Sequence, residues 1–162
     1  MKQFKTWNFD AFILNDLTKS NPLSFFMQYI NQAYMFNKKL DIDPVKYKAY
    51  MCEAQELYHR ENTYHNAIHA ADVAQAVFYF LEKGDVNIVC GLDLLETASC
   101  LIAAAVHDID HPGVNNYYLV NTKSPLSILY NDKSVLENCH AATAFNLMRD
   151  EKYDILSSLT PE

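Results

Sequence analysis

Glycine and proline are scarce, 3 and 5 in 162 residues. Turn-rich sheet proteins need more of both, so the composition points to an all-α chain long enough for one domain. Basic residues are also few: 13 Lys and Arg stand against 20 Asp and Glu, a net charge of -7. That disfavours nonspecific binding to a nucleic acid backbone, and no nucleic acid polymer is expected as a partner. It does not exclude a small anionic ligand, because bound divalent cations reverse the local field of an acidic protein. No apolar run reaches the roughly 18 residues of a membrane span. Asp10 and Asp16 interrupt the opening MKQFKTWNFDAFILND, so no secretory leader is expected. Cys52, Cys90, Cys100 and Cys139 make no CxxC pair and no disulfide framework. They are expected as reduced, mostly buried thiols of a cytoplasmic protein. A glycine-rich phosphate loop, a Ser or Cys nucleophile context, internal repeats and low-complexity tracts are all missing.

What is present reads as helix throughout. Residues 1–20, with Trp7, Phe9, Phe12, Ile13 and Leu14, are expected as an irregular arm packing through aromatics. Asn21-Pro22 and Asp43-Pro44 are N-cap and N1 pairs. They predict helices to about Phe36, with Phe25, Phe26, Tyr29, Ile30 and Ala33 on one side, and to about Arg60. After a loop at 61–64, a third helix runs through His69 to about Lys83, with Val73, Ala76, Val77 and Phe80 as its stripe and Gly84 as C' residue. Asp93 with Glu96, and Ser134 with Glu137, have capping-box spacing and open helices to His107 and to about Arg149. Short helices are expected at 115–121 and from Ser124-Pro125, with a last turn or two over 154–159. Thr160-Pro161-Glu162 reads either as a frayed polar tail or as the start of a further helix in a domain that continues past it.

Two clusters carry chemistry. One is YHNAIHAAD, with His65, Asn66, His69 and Asp72. The other, HDIDHPGVNN, follows the apolar run Cys100–Val106 and holds His107, Asp108, Asp110, His111, Asn115 and Asn116. Imidazole and carboxylate are ordinary ligands of zinc, iron, manganese and magnesium. His65 and His69 stand four apart and share a helix face if helical. Both could bind one metal, or one could bind it while the other moves a proton near neutral pH. His69, His107 and Asp108 form a mixed N/O set, and Asp108 could bridge to a second ion. A competing pattern is Glu-x-x-His, at Glu56-His59 and Glu137-His140, as in di-iron bundles. That reading requires further helix glutamates absent between Asn21 and Phe36, and it leaves HDIDH without a role. His59 falls outside both main clusters.

These motifs resemble the catalytic domain of the class I 3',5'-cyclic-nucleotide phosphodiesterases. His107, Asp108, His111 and Asn116 fit that family's His-Asp signature, YHNAIHAADV fits a second hallmark, and ILYNDKSVLENCHAA a third block. The flanks WNFDAF and MRDEKYDIL place it nearest the calcium/calmodulin-dependent subfamily, with cAMP-specific features. The resemblance covers essentially all 162 residues. It implies a multi-helix metal-hydrolase fold. It also implies two divalent ions, zinc and magnesium or manganese, and hydrolysis of cAMP or cGMP to the 5'-nucleotide. His69, His107 and Asp108 then resemble metal ligands, with Asp108 shared. His65 resembles the general acid, Tyr64 and Asn66 line its surroundings, and His111 and Glu137 resemble residues around metal-bound waters. Cys139 stands where the family has a histidine, which removes one imidazole from that helix.

The family's domain is about twice this long, and its fourth protein ligand, a purine-binding glutamine and a stacking phenylalanine lie in the other half. The resemblance therefore implies a partial domain of doubtful activity alone. It leaves room for a regulatory partner or a homodimer. A wider His-Asp superfamily nucleotide hydrolase, and a fragment acting only through protein interaction, are the alternatives. The first leaves YHNAIHAADV unexplained.

Overall fold

The computed structural model describes residues 2–159; Thr160-Pro161-Glu162 lies outside them, so the helix start read there is not addressed. Every regular element among the described residues is helical. After a 3-10 turn at Lys2–Lys5 come α1 (Ala11–Leu17), α2 (Pro22–Tyr34), α3 (Phe36–Lys39), α4 (Pro44–Glu56), α5 (Ala67–Lys83), α6 (Val86–Val89), α7 (Leu94–Val106), α8 (Asn116–Asn121), α9 (Pro125–Leu129) and α10 (Val135–Leu147).

Caps set most boundaries. The Asp43 carboxylate accepts from the Val45 and Lys46 amides at the start of α4, and Asp93 and Glu96 close a complete capping box on α7. Other expectations fail for local reasons. The arm is not irregular throughout, because Asp10 accepts from the Phe12 and Ile13 amides and starts α1. Asn21 holds the N-cap position of α2 with Pro22 at N1, but its side chain makes no capping bond; it bonds back to Thr18 and Lys19 and accepts from Gln55. Ser134 sits at a left-handed φ of 42° and forms no capping box, while Glu137 turns to Asn116 instead. Helix α4 stops at Glu56 rather than near Arg60. Residues 154–159 form turns rather than helix. Helix α6 was not anticipated, and Gly84 is the C-cap of α5 at a negative φ.

The core is built on α5. It packs most extensively on α7 and on α2. The fully buried face is Ala70, Ala71, Ala74, Phe78 and Leu81; of the expected stripe, Val73 and Val77 pack half-buried against this core, Ala76 is half-buried and Phe80 is exposed. Helix α7 answers with Ala98, Leu101, Ala104 and Ala105. Small residues on both sides let the two backbones approach closely at the end that carries the histidines. Phe26, Phe36 and Tyr47 surround Phe78 and its neighbours as an aromatic core. Truncating a buried phenylalanine such as Phe78 to alanine costs about 3–5 kcal/mol. On α2, Phe26 and Ile30 face inward as expected, while Phe25 and Ala33 face solvent. The N-terminal residues dock on α5: Phe4 is buried, and buried Gln75 donates to the Phe4 and Thr6 carbonyls. A smaller cluster of Leu119, Val135 and Leu136 joins α8 to α10. The thiols are not mostly buried: Cys90 and Cys100 are exposed, Cys52 is half-buried and only Cys139 is inside. No helix among the described residues is long and apolar enough to cross a membrane.

Candidate metal centre

The C-terminal end of α7 and the N-terminal end of α5 meet, and there the fold assembles the chemistry. Asn66 caps α5, accepting from the Ile68 and His69 amides, and so fixes the first turn that carries His69. Helix α7 delivers His107 as its C-cap and Asp108 immediately after. His69 Nε2 lies 3.2 Å from His107 Nε2, and Asp108 Oδ2 lies 3.4 Å from the first and 3.2 Å from the second. A tetrahedral zinc with ligands at about 2.0–2.1 Å holds neighbouring donor atoms about 3.3 Å apart. The three observed edges match that spacing.

Tautomers support the same conclusion. The His107 Nδ1–H donates to the Ala104 carbonyl at 2.8 Å, which leaves a lone pair on Nε2, the atom facing His69. Burial pulls the His107 imidazole down, but the Asp108 carboxylate and the Ala104 carbonyl outweigh it and raise it above its ordinary value. Burial likewise pushes Asp108 up, yet His107 and His69 beside it hold the carboxyl well below the usual carboxylate range. Proton sharing of this kind is what a cation displaces on binding.

Asp108 also belongs to a second group, with His111 and His140, whose potential ligand atoms all lie within 4.8 Å of one another. Asp108 thus joins two overlapping sites, a candidate two-cation centre. The two imidazoles of the second group differ. Buried His140 donates from Nδ1 to the Ile109 carbonyl at 2.6 Å, so its Nε2 lone pair stands 3.7 Å from Asp108 Oδ1. His111 instead accepts the Gly113 amide on Nδ1, so its neutral ring carries the proton on Nε2. Burial and the neighbouring His65 both lower the His111 imidazole. His111 therefore presents an N–H, suited to a water or an anion, where His140 presents a lone pair.

His65 stacks face to face on His111, ring centres 3.8 Å apart and planes 8° apart. Tyr64 is exposed and sets its ring edge-on to His65 and 4.5 Å from His69. Glu137 is exposed at the start of α10 and takes the Asn116 amide on both oxygens. Its own backbone amide and Asn116 hold that carboxyl below its ordinary value. An apolar groove of about 460 Å³ runs from His107, His140 and Glu137 along α7 and α10 to Phe145 and Leu156.

The sequence reading missed several participants. All six histidines of the chain gather here. His59 is not apart from the clusters: its Nε2 lies 2.8 Å from Asp110 Oδ1. His140 had been noticed only through its spacing from Glu137. Neither Glu56 nor Glu137 belongs to a ligand group among the described residues, and Glu56 pairs with Arg60 at the surface, which removes the di-iron pattern. Tyr58 was not singled out. Its buried hydroxyl donates to the Ala105 carbonyl at 3.0 Å and accepts the Asp108 amide at 3.3 Å, holding the Asp108 backbone from beneath.

A helical scaffold with imidazoles and a shared carboxylate spaced for divalent cations is the kind of centre that families of metal-dependent hydrolases carry. The sequence model of one such family, described as 3'5'-cyclic nucleotide phosphodiesterase, matches residues 64–162. The chain is 37% identical over 160 residues to the 3',5'-cyclic-AMP phosphodiesterase 4 of Dictyostelium discoideum, covering 99% of this chain and 15% of that protein. It is 39% identical over 158 residues to the high affinity cAMP-specific and IBMX-insensitive 3',5'-cyclic phosphodiesterase 8 of Drosophila melanogaster, covering 97% and 17%. The chain belongs to the 3',5'-cyclic nucleotide phosphodiesterase family, and it spans about a sixth of the length of these curated relatives.

Proposed function

We propose that the chain supplies the cation-binding and proton-donating face of an enzyme that hydrolyses a 3',5'-cyclic nucleotide to the 5'-nucleotide, and that its substrate is cAMP. The observation that carries the reading is the His69, His107 and Asp108 triangle with tetrahedral edge lengths. In this reading these three are ligands of one cation, Asp108 is shared with a second, and zinc with magnesium or manganese are the occupants. Bound there, such cations polarise the phosphoryl oxygens and lower the pKa of water.

The remaining roles fall to the chain's own residues. A water gives up one proton to solvent as its oxygen adds to phosphorus, the P–O3' bond breaks, and its electron pair leaves on O3'. His65, as imidazolium, gives its ring proton to that oxygen. Its stacking partner His111, held low by burial and by His65, stays neutral, so the stack carries one charge rather than two. The His111 Nε2–H and the Glu137 carboxylate orient water beside Asp108. Tyr64 walls the donor, and Asn66 holds the helix end under His69. The choice of cAMP is supported by the names of both relatives. The calcium/calmodulin-dependent likeness rests only on the flanks WNFDAF and MRDEKYDIL, so the cAMP-specific reading is the one carried forward. An intracellular signalling role in the cytoplasm accompanies that substrate.

We further infer that residues 1–162 alone bind zinc weakly and turn over slowly. Among the described residues the first candidate site offers three ligand side chains, while the second offers Asp108 and His140 beside the His111 N–H, with Asp108 common to both. A chimera carrying this chain in place of the matching 160 residues of the Dictyostelium relative tests both parts. Release of 5'-AMP from cAMP by the chimera, and far less by the chain alone, is expected. A folded, zinc-loaded chimera that leaves cAMP intact contradicts the chemistry. A chain alone as fast as the chimera contradicts the need for further ligands.

A further inference from the structure

Asn62 lies just before the YHNAIHAAD cluster, and no role in the mechanism above falls to it. Its side chain nonetheless touches both loops of the site. The amide nitrogen donates one proton to the His65 carbonyl at 3.0 Å and the other to the His111 carbonyl at 2.7 Å. Both partners are acceptors only, so no other orientation of the amide serves them. The Asn62 backbone carbonyl accepts the side chain of Asn66, the residue that caps the helix carrying His69. One side chain therefore ties the backbone of His65 to the backbone of His111, 49 residues away from Asn62 in sequence, while the two rings lie face to face at 3.8 Å.

The opposite wall of this bracket is Gly113. It has a φ of +77°, and a Cβ placed on it would fall 2.7 Å from Asn62 Oδ1. The side chain that would have to move is held by two hydrogen bonds, so a methyl group there can enter only by breaking the bracket. Glycine at 113 is thus required twice, by backbone conformation and by close approach to Asn62.

We propose that Asn62 is a positioning residue: it brackets the His65 and His111 loops and so sets the ring stack that aims the proton donor. The inference rests on the reading of His65 as that donor, yet its first test does not use turnover. Face-to-face imidazoles shift each other's ring-proton NMR resonances upfield. In the full chain, the Cε1–H resonances of His65 and His111 are assigned by their loss in His65→Gln and His111→Gln. Asn62→Ala should abolish the upfield displacement of both. Asn62→Asp keeps the size and shape but sets a carboxylate against two carbonyl oxygens, and should abolish it as well. Gly113→Ala should disturb the same two resonances. In an Asn62→Ala background it should add less than in the native chain, because the group it collides with is gone.

In the chimera, Asn62→Ala should lower kcat by about 100-fold with zinc content retained, the cost of a misplacement near 1 Å. Resonances that stay at their native positions in both Asn62 variants would overturn the bracket. Displaced resonances with native kcat would overturn its role in aiming His65. A chimera that never hydrolyses cAMP would sink the functional reading, and the resonances would still decide the bracket.

Discussion

Removing one buried oxygen, in Tyr58→Phe, probes how the scaffold holds the centre. The Tyr58 ring is almost fully buried at 1% exposure, and its hydroxyl is the meeting point of two backbone groups. It donates to the carbonyl of Ala105, in the last turn of α7, and accepts the amide of Asp108, the residue that both candidate sites share. Phenylalanine fills the same volume, so no cavity term arises and the ring packing stays. What is lost is one hydrogen bond of good length and one long one, with their partners left inside. An unsatisfied buried group costs about 1–3 kcal/mol, and the long bond contributes at the low end, so a total near 2 kcal/mol is expected. In a domain of this size that lowers Tm by about 4–8 °C.

The second consequence is local. With its amide released, the Asp108 backbone can rotate, and the carboxylate no longer arrives preset against His69 and His107. Loss of a partner outside the ligand shell typically lowers metal affinity by about 10–100-fold. Chemical denaturation and zinc competition against a chelator, run at one pH on native and Tyr58→Phe protein, read the two effects separately. Native stability with native zinc affinity would refute the claim that this hydroxyl supports the ligand. A drop in stability alone would confine Tyr58 to packing.

Three further outcomes follow from the geometry. His65→Gln should leave zinc affinity nearly native but slow the chimera by about 10²–10⁴-fold, the usual worth of a general acid; loss of zinc would instead make His65 a ligand. Asp93→Ala breaks the capping box on α7 and should cost about 0.5–2 kcal/mol in denaturant, with zinc affinity unchanged because the cap lies at the far end of the helix from His107. The metal-free chain should be most stable between the ordinary carboxylate and imidazole ranges. Asp108 is depressed in the fold, so its contribution is present above its unfolded pKa and fades as pH falls. His107 is raised, so its contribution is complete below its unfolded pKa and is lost as pH rises through the folded one. Denaturation as a function of pH checks this, and His107→Gln should remove the alkaline decline; a decline that survives the substitution would place it elsewhere.

Where a few local residues decide the structure, the sequence was readable. Asp43-Pro44 and the Asp93–Glu96 box mark real helix starts, and the pairing of His69 with His107-Asp108 at the end of an apolar helix, expected from the two clusters, is a juxtaposition the structure contains. Where tertiary partners compete, local reading failed. Asn21 and Ser134 look like caps, but Gln55 draws the first away, and a left-handed backbone denies the second its capping bond. On α5 the fully buried positions include Ala70, Ala71 and Ala74, whose small side chains give little periodic signal, while Val73 and Val77 pack only at the core's edge. His59, His140, Tyr58 and Asn62 reach the centre through contacts 31 to 51 residues distant in sequence, and no short motif encodes those.

The central claim is that His69, His107 and Asp108 together hold a cation. Zinc affinity measured by chelator competition in the chimera, for His69→Gln, His107→Gln and Asp108→Asn beside Asp93→Ala, tests it most directly. The account predicts a loss greater than about 100-fold in each of the first three, beyond the range for outer-shell partners, and native affinity in the fourth. Native zinc affinity in any one of the three ligand variants would contradict it.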